Sequence, residues 1–346
     1  MEQVEVDGSQ GEGGGQILRA AVAFAVIKQV AVRVVKIRAG RDPPGLKRQH
    51  LSALKVLASV FGGVLEGADE GSTAIRFVPG SQRLQSYSAD MGTAASITLV
   101  LQAVIPAVAL SGSKLRLELT GGTDVPWSPT FDYFQSVVLS GYRAIGIEAG
   151  AMVTRRGYYP RGGGKVTAEI AECRSLNPID LTSRPRIAGA AVASRCGMLP
   201  KMVAERQARA AAETLAGSGV EAATLEATEE ESSSPGTSVL VGSVGDRFFI
   251  GGDALGKRGK PAEDVGREAA EKYIAALNSG ACMDANVADM VVPLLSLATG
   301  PSRVRVQEFT PHLESGLRLA ERFTSCSWTV ERDGPSVVLG VFPRTA

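Results

Sequence analysis

The sequence predicts a mixed α/β (α+β) protein. Its main domain is built from three repeated units, each with two helices and a four-stranded sheet, and a small inserted α/β domain interrupts it. Three observations carry this reading. The order strand, helix, strand, helix, strand, strand can be read over residues 4–79, starts again at residue 86 and returns near the C-terminus. A segment with its own pattern intervenes before the third copy. The chain has 346 residues with 44% hydrophobic content, enough for more than one core. The predicted division is 1–182 for repeats one and two, 183–279 for the insert and 280–346 for repeat three.

In the first unit, residues 4–6 read as a strand, and DGSQGEGGGQ as a glycine-rich loop entering an apolar helix over about 16–27. Glycines let a phosphate approach the backbone. No GK[ST] follows, so this is neither a P-loop nor a dinucleotide fingerprint. Glu12 stands out as a carboxylate among glycines, suited to a divalent metal, to orienting a base or to a solvated turn. VAVRVVKIR then reads as a strand, AGRDPPG as a loop and residues 46–61 as a helix. Lys28, Arg33, Lys36, Arg38, Arg41, Lys47 and Arg48 are opposed in this span only by Asp42. With Gln49 and His50 beside them, these cations suit a phosphate. GVLEGA and TAIRFVP complete the unit as strands.

The second unit reads as a strand at 86–90, a helix at 93–110, a strand at 114–120, the loop TGGTDVPWSP and a helix at 131–145. Two strands follow, broken by RRGYYPRGGGK, which mixes cations, aromatics and glycine. Residues 91–113 carry no charge, but Gln102, Pro106 and the strand KLRLEL that follows favour a core helix over a membrane span. In the insert, RIAGAAVAS reads as a strand, LPKMVAERQARAAAETLAG as a helix, TSVLVGSVGDRFFIGG as a hairpin and PAEDVGREAAEKYIAAL as a helix. The acidic EATEEESSSPGT reads as a polar loop.

The third unit reads as a helix at 283–297, the strand SRVRVQEF, a helix from His312, and the strands SWTVE and SVVLGVF joined by RDGP. In QEFTPHLESGLRLAERF, Thr310 is the expected N-cap and Pro311 the first helical residue. Leu313, Leu317 and Ala320 form a buried stripe, with His312 one step off it. Helix-start dipoles oppose protonation of an imidazole there and attract phosphate, which suits a nucleophile for phosphorus as well as a plain surface histidine.

Composition adds limits. Lys plus Arg number 37 against 36 Asp plus Glu, giving no global argument for nucleic acid or membrane. The four cysteines are scattered without a CxxC pair, which argues against zinc and for a reduced, cytoplasmic setting. MEQVEVDGSQ lacks the apolar run of a secretory signal.

Taken in order, GSQGEGGGQILR, IRAGRDPPGLKRQHL, TLVLQAVIPA, LTGGTDVPWSP, YYPRGGGKV and PHLESGLRLAERF resemble the RNA 3'-terminal phosphate cyclases, nearly end to end. The resemblance, to a catalytic member of archaeal or bacterial type, implies the same triple-repeat core with an insert. It also implies ATP-dependent conversion of an RNA 3'-phosphate into a 2',3'-cyclic phosphodiester through an enzyme histidine joined to AMP. His312 matches that histidine, and Glu12 a carboxylate near the metal and nucleophile. Gln16, Arg38, Arg41 and Gln49 resemble polar groups around the phosphates. Beside them in the basic cluster, Arg48 reads as a phosphate or RNA contact and His50 as a structural or substrate-contact residue. Gln102 matches a nucleotide contact. Asn286, Val287, Ala288, Asp289 and Met290 match an ATP-binding helix start, and Pro129 resembles a proline packed on the base. The family often has an aromatic or histidine at Asn286 and a glutamine at Met290, and Phe249 is the candidate aromatic wall in their place. The implied cofactors are ATP with Mg2+ or Mn2+, and the implied partner is RNA with a 3'-terminal phosphate, with no membrane and no obligatory protein partner. Three alternatives compete: a non-catalytic cyclase-like ribosome-assembly protein, an enolpyruvyl-type transferase and a bare RNA-binding module.

Overall fold

The computed structural model describes residues 2–11, 14–92, 94–183, 189–243 and 248–344. The first unit contains β1 (Gln3–Asp7), α1 (Gly15–Lys28), β2 (Ala31–Val35), α2 (Arg48–Phe61), β3 (Val64–Glu66) and β4 (Ile75–Val78). Its sheet has the order β1-β2-β4-β3, with β1 parallel to β2 and the other pairs antiparallel. The expected strand VAVRVVKIR is cut short after Val35, because Lys36 and Arg38 take positive φ angles of 52° and 53° that leave the extended region.

The second unit has β5 (Ser86–Asp90), α3 (Ile97–Leu110) and β6 (Leu115–Gly121). A helix continuous from α4 (Phe131–Tyr133) through a π-helical turn (Phe134–Val138) to α5 (Leu139–Ala144) then leads to β7 (Ala149–Arg155) and β8 (Gly164–Ile170). The order β5-β6-β8-β7 repeats the same pattern, one parallel pair followed by two antiparallel ones. The uncharged stretch forms α3, capped by the Ser96 hydroxyl and buried along most of its length. Among the described residues, no helix is long and apolar enough to cross a membrane.

A short strand, β9 (Asp180–Leu181), precedes a separate sheet made from β10 (Ala190–Gly197), β11 (Ala222–Glu229), β12 (Gly236–Ser243) and β13 (Gly251–Leu255), in the order β11-β10-β12-β13. Helices α6 (Lys201–Gly217) and α7 (Ala262–Asn278) pack on it and share a second hydrophobic core running from Ala190 to Ala276. The acidic stretch read as a loop is in part strand: β11 pairs parallel with β10 through Glu229. It lies at the sheet edge with charged residues outward, which hid its pairing behind a loop-like composition.

The chain then returns through α8 (Ala285–Val291), continued by a 3-10 turn (Val292–Leu297), to β14 (Ser302–Val306), α9 (Pro311–Thr324), β15 (Ser327–Asp333) and β16 (Ser336–Phe342). These close a fourth sheet in the order β15-β16-β14-β9, in which β9 is the parallel partner of β14. The same connectivity therefore recurs in three of the four sheets. Helices α1, α2, α3 and α9 pack together between them in one large core, where Phe24 of α1 stacks on Phe323 of α9 at 5.5 Å.

Candidate active site

The local chemistry at α9 is that expected from the sequence. Thr310 is the N-cap, its hydroxyl accepting from the Leu313 N–H at 2.9 Å, and Pro311 occupies the first turn. His312 is half-buried just inside that turn, and its carbonyl accepts from the Ser315 hydroxyl. The Thr310 hydroxyl also donates to Asp289 Oδ1 at 2.6 Å, tying α8 to the start of α9.

The glycine loop reaches the same place. Gly11 has a φ of 62°, and a Cβ there would lie 3.0 Å from Ser315 Cβ and 3.3 Å from the Pro311 carbonyl oxygen. Only glycine allows both that conformation and that approach. Glu12, one residue on, lies outside the described residues.

Helices α1, α3, α8 and α9 enclose a cavity of about 50 Å3. Gln16, Gln102, Asp289 and Met290 all line it, so side chains chosen from three separated sequence stretches meet there. Arg19 lines it too, and sequence reasoning missed it. It is 8% exposed, its Nε has no hydrogen-bond partner, and burial pulls its guanidinium down to about 10. Gln102 Oε1 is likewise buried without a partner. Orphaned polar atoms of this kind cost stability unless a ligand satisfies them: the Arg19 N–H fits an anionic acceptor such as a phosphate, and the Gln102 oxygen fits a hydroxyl or amine donor. The signal was present as the one charged residue on the otherwise apolar face ILRAAVAFAV.

His50 sits behind this cavity. Its Nδ1 accepts from the Lys47 N–H at 3.1 Å, which leaves the proton on Nε2. A Cβ on Gly15 would fall 2.7 Å from that Nε2 and 2.9 Å from Arg19 Nη1, so ring, guanidinium and helix start are in close contact. Burial, followed by the charges of Arg19, Arg38 and Lys47, drives the imidazole down to about 4, and it is neutral at physiological pH.

Other expected residues are placed differently. Arg38 is buried and its Nη1 donates to the Pro43 and Gly45 carbonyls, both at 3.0 Å, so it holds the 38–45 loop in shape. Arg41 and Gln49 are exposed near it. Arg48 faces away and pairs with Glu70 at 3.0 Å. Pro129 is half-buried, and its carbonyl accepts from the Thr98 hydroxyl on α3. Phe249 lies in the main core, only 4% exposed. In NVADM, Val287 and Ala288 are buried and Asn286, Asp289 and Met290 are accessible. Asp284 was not foreseen: it caps α8, accepting from the Val287 N–H, the Tyr133 hydroxyl and the Gly251 N–H. Burial nonetheless pushes its carboxyl up to about 6. Among the described residues, no group of three or more His, Cys, Asp or Glu side chains could hold a metal ion.

With this geometry in place, the chain can be compared with known proteins. The family model of the RNA 3'-terminal phosphate cyclases matches residues 10–330. The RNA 3'-terminal phosphate cyclase of Thermococcus kodakarensis is 45% identical over 333 residues, covering 96% of this chain and 95% of that protein. The protein of the same name from Pyrobaculum neutrophilum is 41% identical over 339 residues, covering 98% of each. Among solved structures, EPSP synthase from Acinetobacter baumannii superposes with a TM-score of 0.31 at 13% identity, covering 99% of this chain and 66% of that one, too weak a likeness to carry an argument. The match over nearly the whole chain and the identity of its relatives place it: the chain belongs to the RNA 3'-terminal phosphate cyclase family.

Proposed function

We propose that this protein is an ATP-dependent RNA 3'-terminal phosphate cyclase and that His312 is its nucleophile. The observation that carries the reading is the cavity against the second turn of α9 at Gly316, where Arg19 and Gln102 have buried, unsatisfied polar atoms and Gln16, Asp289 and Met290 meet them. A neutral imidazole nitrogen of His312 attacks the α-phosphorus of ATP, so that a P–N bond forms as the bond to pyrophosphate breaks. An oxygen of the RNA 3'-phosphate then takes the adenylyl group, breaking P–N and freeing the histidine. Finally the vicinal 2'-oxygen attacks the 3'-phosphorus, loses its proton and expels AMP, closing the cyclic diester. Position and neutralised charge supply most of the acceleration in such transfers.

Arg19 and Arg41 are assigned to the phosphates, Gln16 and Gln102 to the nucleotide, and Asp289 to holding Thr310 and thereby the first turn that presents His312. His50 is a positioning residue that packs Arg19 against Gly15. Mg2+ or Mn2+ would be held by Glu12 together with the nucleotide's own phosphates and would offset negative charge on the departing pyrophosphate.

The test is incubation with α-labelled ATP and a divalent metal, followed by a search for acid-labile label on the chain. The parent should be labelled and should lose the label to RNA bearing a 3'-phosphate, whereas His312→Ala should take up none. A folded parent that stays unlabelled, or a labelled His312→Ala protein, overturns the proposal.

A further inference from the structure

A large open cleft lies elsewhere, between the second unit and the inserted segment. Its volume is about 990 Å3. One wall is the loop after β6 with Tyr158 and Tyr159, and the other is α6 and the turn from β13 into α7. Trp127 is 96% exposed and Tyr159 66% exposed, so two aromatic faces stand in solvent on one wall. Trp127 also has a φ of 68°, a costly conformation for a bulky residue. The loop that imposes it is pinned on both sides: the Ser128 hydroxyl donates to the Val125 carbonyl, and the Thr130 N–H donates to Asp253 Oδ2 at 2.8 Å. The ring projects from a loop tied at both of these points.

The opposite wall is cationic. Among the described residues, the side chains of Lys257 and Arg258 have no ion-pair partner. The carboxylates of the cleft are all engaged: Asp124 with Arg156 at 3.1 Å, Asp253 with Thr130, and Glu268 with Lys260 and Lys272. Exposed rings facing unpaired cations form the arrangement that stacks bases and tracks a phosphate backbone. Paired bases in a duplex could not reach such rings. The loop bearing Trp127 runs directly into Pro129, whose carbonyl is held by Thr98 at the first turn of α3, the helix that carries Gln102.

We infer that this cleft binds the single-stranded stretch of RNA just upstream of the reacting 3'-end, with Trp127 and Tyr159 stacking bases and Lys257 and Arg258 facing phosphates. The inference rests on the RNA substrate of the proposed function, and adds the inserted segment as half of the substrate track.

The test titrates a 12-nucleotide single-stranded RNA with a 3'-phosphate into the full chain, in a Trp328→Phe background that leaves Trp127 as the fluorophore. Stacking should quench Trp127. Trp127→Ala should weaken binding by about ten- to a hundredfold, the loss expected on removing one stacking platform. Lys257→Glu with Arg258→Glu should reduce the salt slope of log Kd by about 1.4, from two lost contacts to a single strand. Self-labelling by ATP should be unchanged in all variants, which separates this result from the chemistry. Unquenched Trp127 with unchanged Kd in the variants overturns the inference, as does equal affinity for duplex RNA or an acidic peptide. Quenching with the predicted losses in a parent that never takes up label supports the cleft and overturns the nucleophile assignment alone.

Discussion

Thr310 and Asp289 share a hydrogen bond of 2.6 Å that joins the start of the helix carrying His312 to the helix lining the cavity of Arg19 and Gln102. The same hydroxyl caps α9 through Leu313. Thr310→Val removes both roles at once. It should cost about 1 kcal/mol of stability, the usual value for an N-cap, and reduce self-labelling by more than that loss explains. Thr310→Ser should restore both. Thermal melting alongside label uptake checks this, and a valine variant that labels normally would remove Asp289 from the positioning scheme.

Arg19 gives a test in the opposite direction. Its guanidinium is buried with an unsatisfied Nε, so Arg19→Met replaces an uncompensated polar group with an apolar one of similar length. The expected outcome is a melting temperature equal to or above the parent's, with nucleotide affinity at least tenfold weaker, the trade-off typical of functional sites. A less stable variant with unchanged affinity would make Arg19 a packing residue.

His50 and Asp284 oppose one another in acid. Between about pH 4 and 6.5, unfolded His50 binds a proton that the folded imidazole refuses, so its contribution is lost as pH falls. The shift corresponds to about 3 kcal/mol at most. Asp284 has the reverse sign: between 3.8 and about 6 its folded carboxyl keeps a proton that the unfolded chain releases, so its contribution fades as pH rises. His50→Gln should therefore flatten or invert the rise of stability from pH 4 to 6.5, and Asp284→Asn should steepen it. Melting curves at several pH values decide, and profiles parallel to the parent's would contradict both assignments.

Arg156 fastens the inserted segment to the second unit. It is 2% exposed and meets Asp132 at 2.6 Å and Asp124 at 3.1 Å, and Glu230, from beyond β11, at 2.7 Å. Burial works against its charge, but these carboxylates outweigh burial and raise its pKa. Arg195 from β10 also reaches Asp132, at 3.3 Å. Arg156→Ala strands two buried carboxylates and should cost about 3–5 kcal/mol. Unfolding should then split into two transitions, and protease should cut first between β11 and β12. A single unshifted transition would refute this.

Much of the fold was legible because its signals are local. Thr-Pro at residues 310–311 fixes a helix start by capping and dihedral preference alone, and the valine-rich apolar run of SVVLGVF gives β16 within its own seven residues. β9 has two residues and is defined only by its partner β14, 123 positions away, so no local pattern could announce it. The same applies to the site. His312, Gln102 and Gln16 could be named as candidates from motifs, whereas Arg19 is marked by what fails to contact it, a property of packing from several helices. Arg38 shows the converse: a cation in a basic run turned to its own loop carbonyls, because its left-handed backbone aims the side chain inward.

The two ends of the inserted segment meet at Arg305. Its Nε donates to the Thr182 carbonyl at 2.8 Å, while its own carbonyl accepts from the Cys282 N–H at 2.9 Å. An excursion of one hundred residues thus leaves and re-enters the fold at one point on β14. Closing a loop of that length costs only about 2 kcal/mol more than closing one a tenth as long. Such a port tolerates exchange of what it carries, and its demand falls instead on timing. On the ribosome, β9 emerges with no partner and stays unpaired until the whole excursion and then β14 have followed. The helix of His312 comes later still, so the chain completes its proposed nucleophile only after the proposed RNA track is already made.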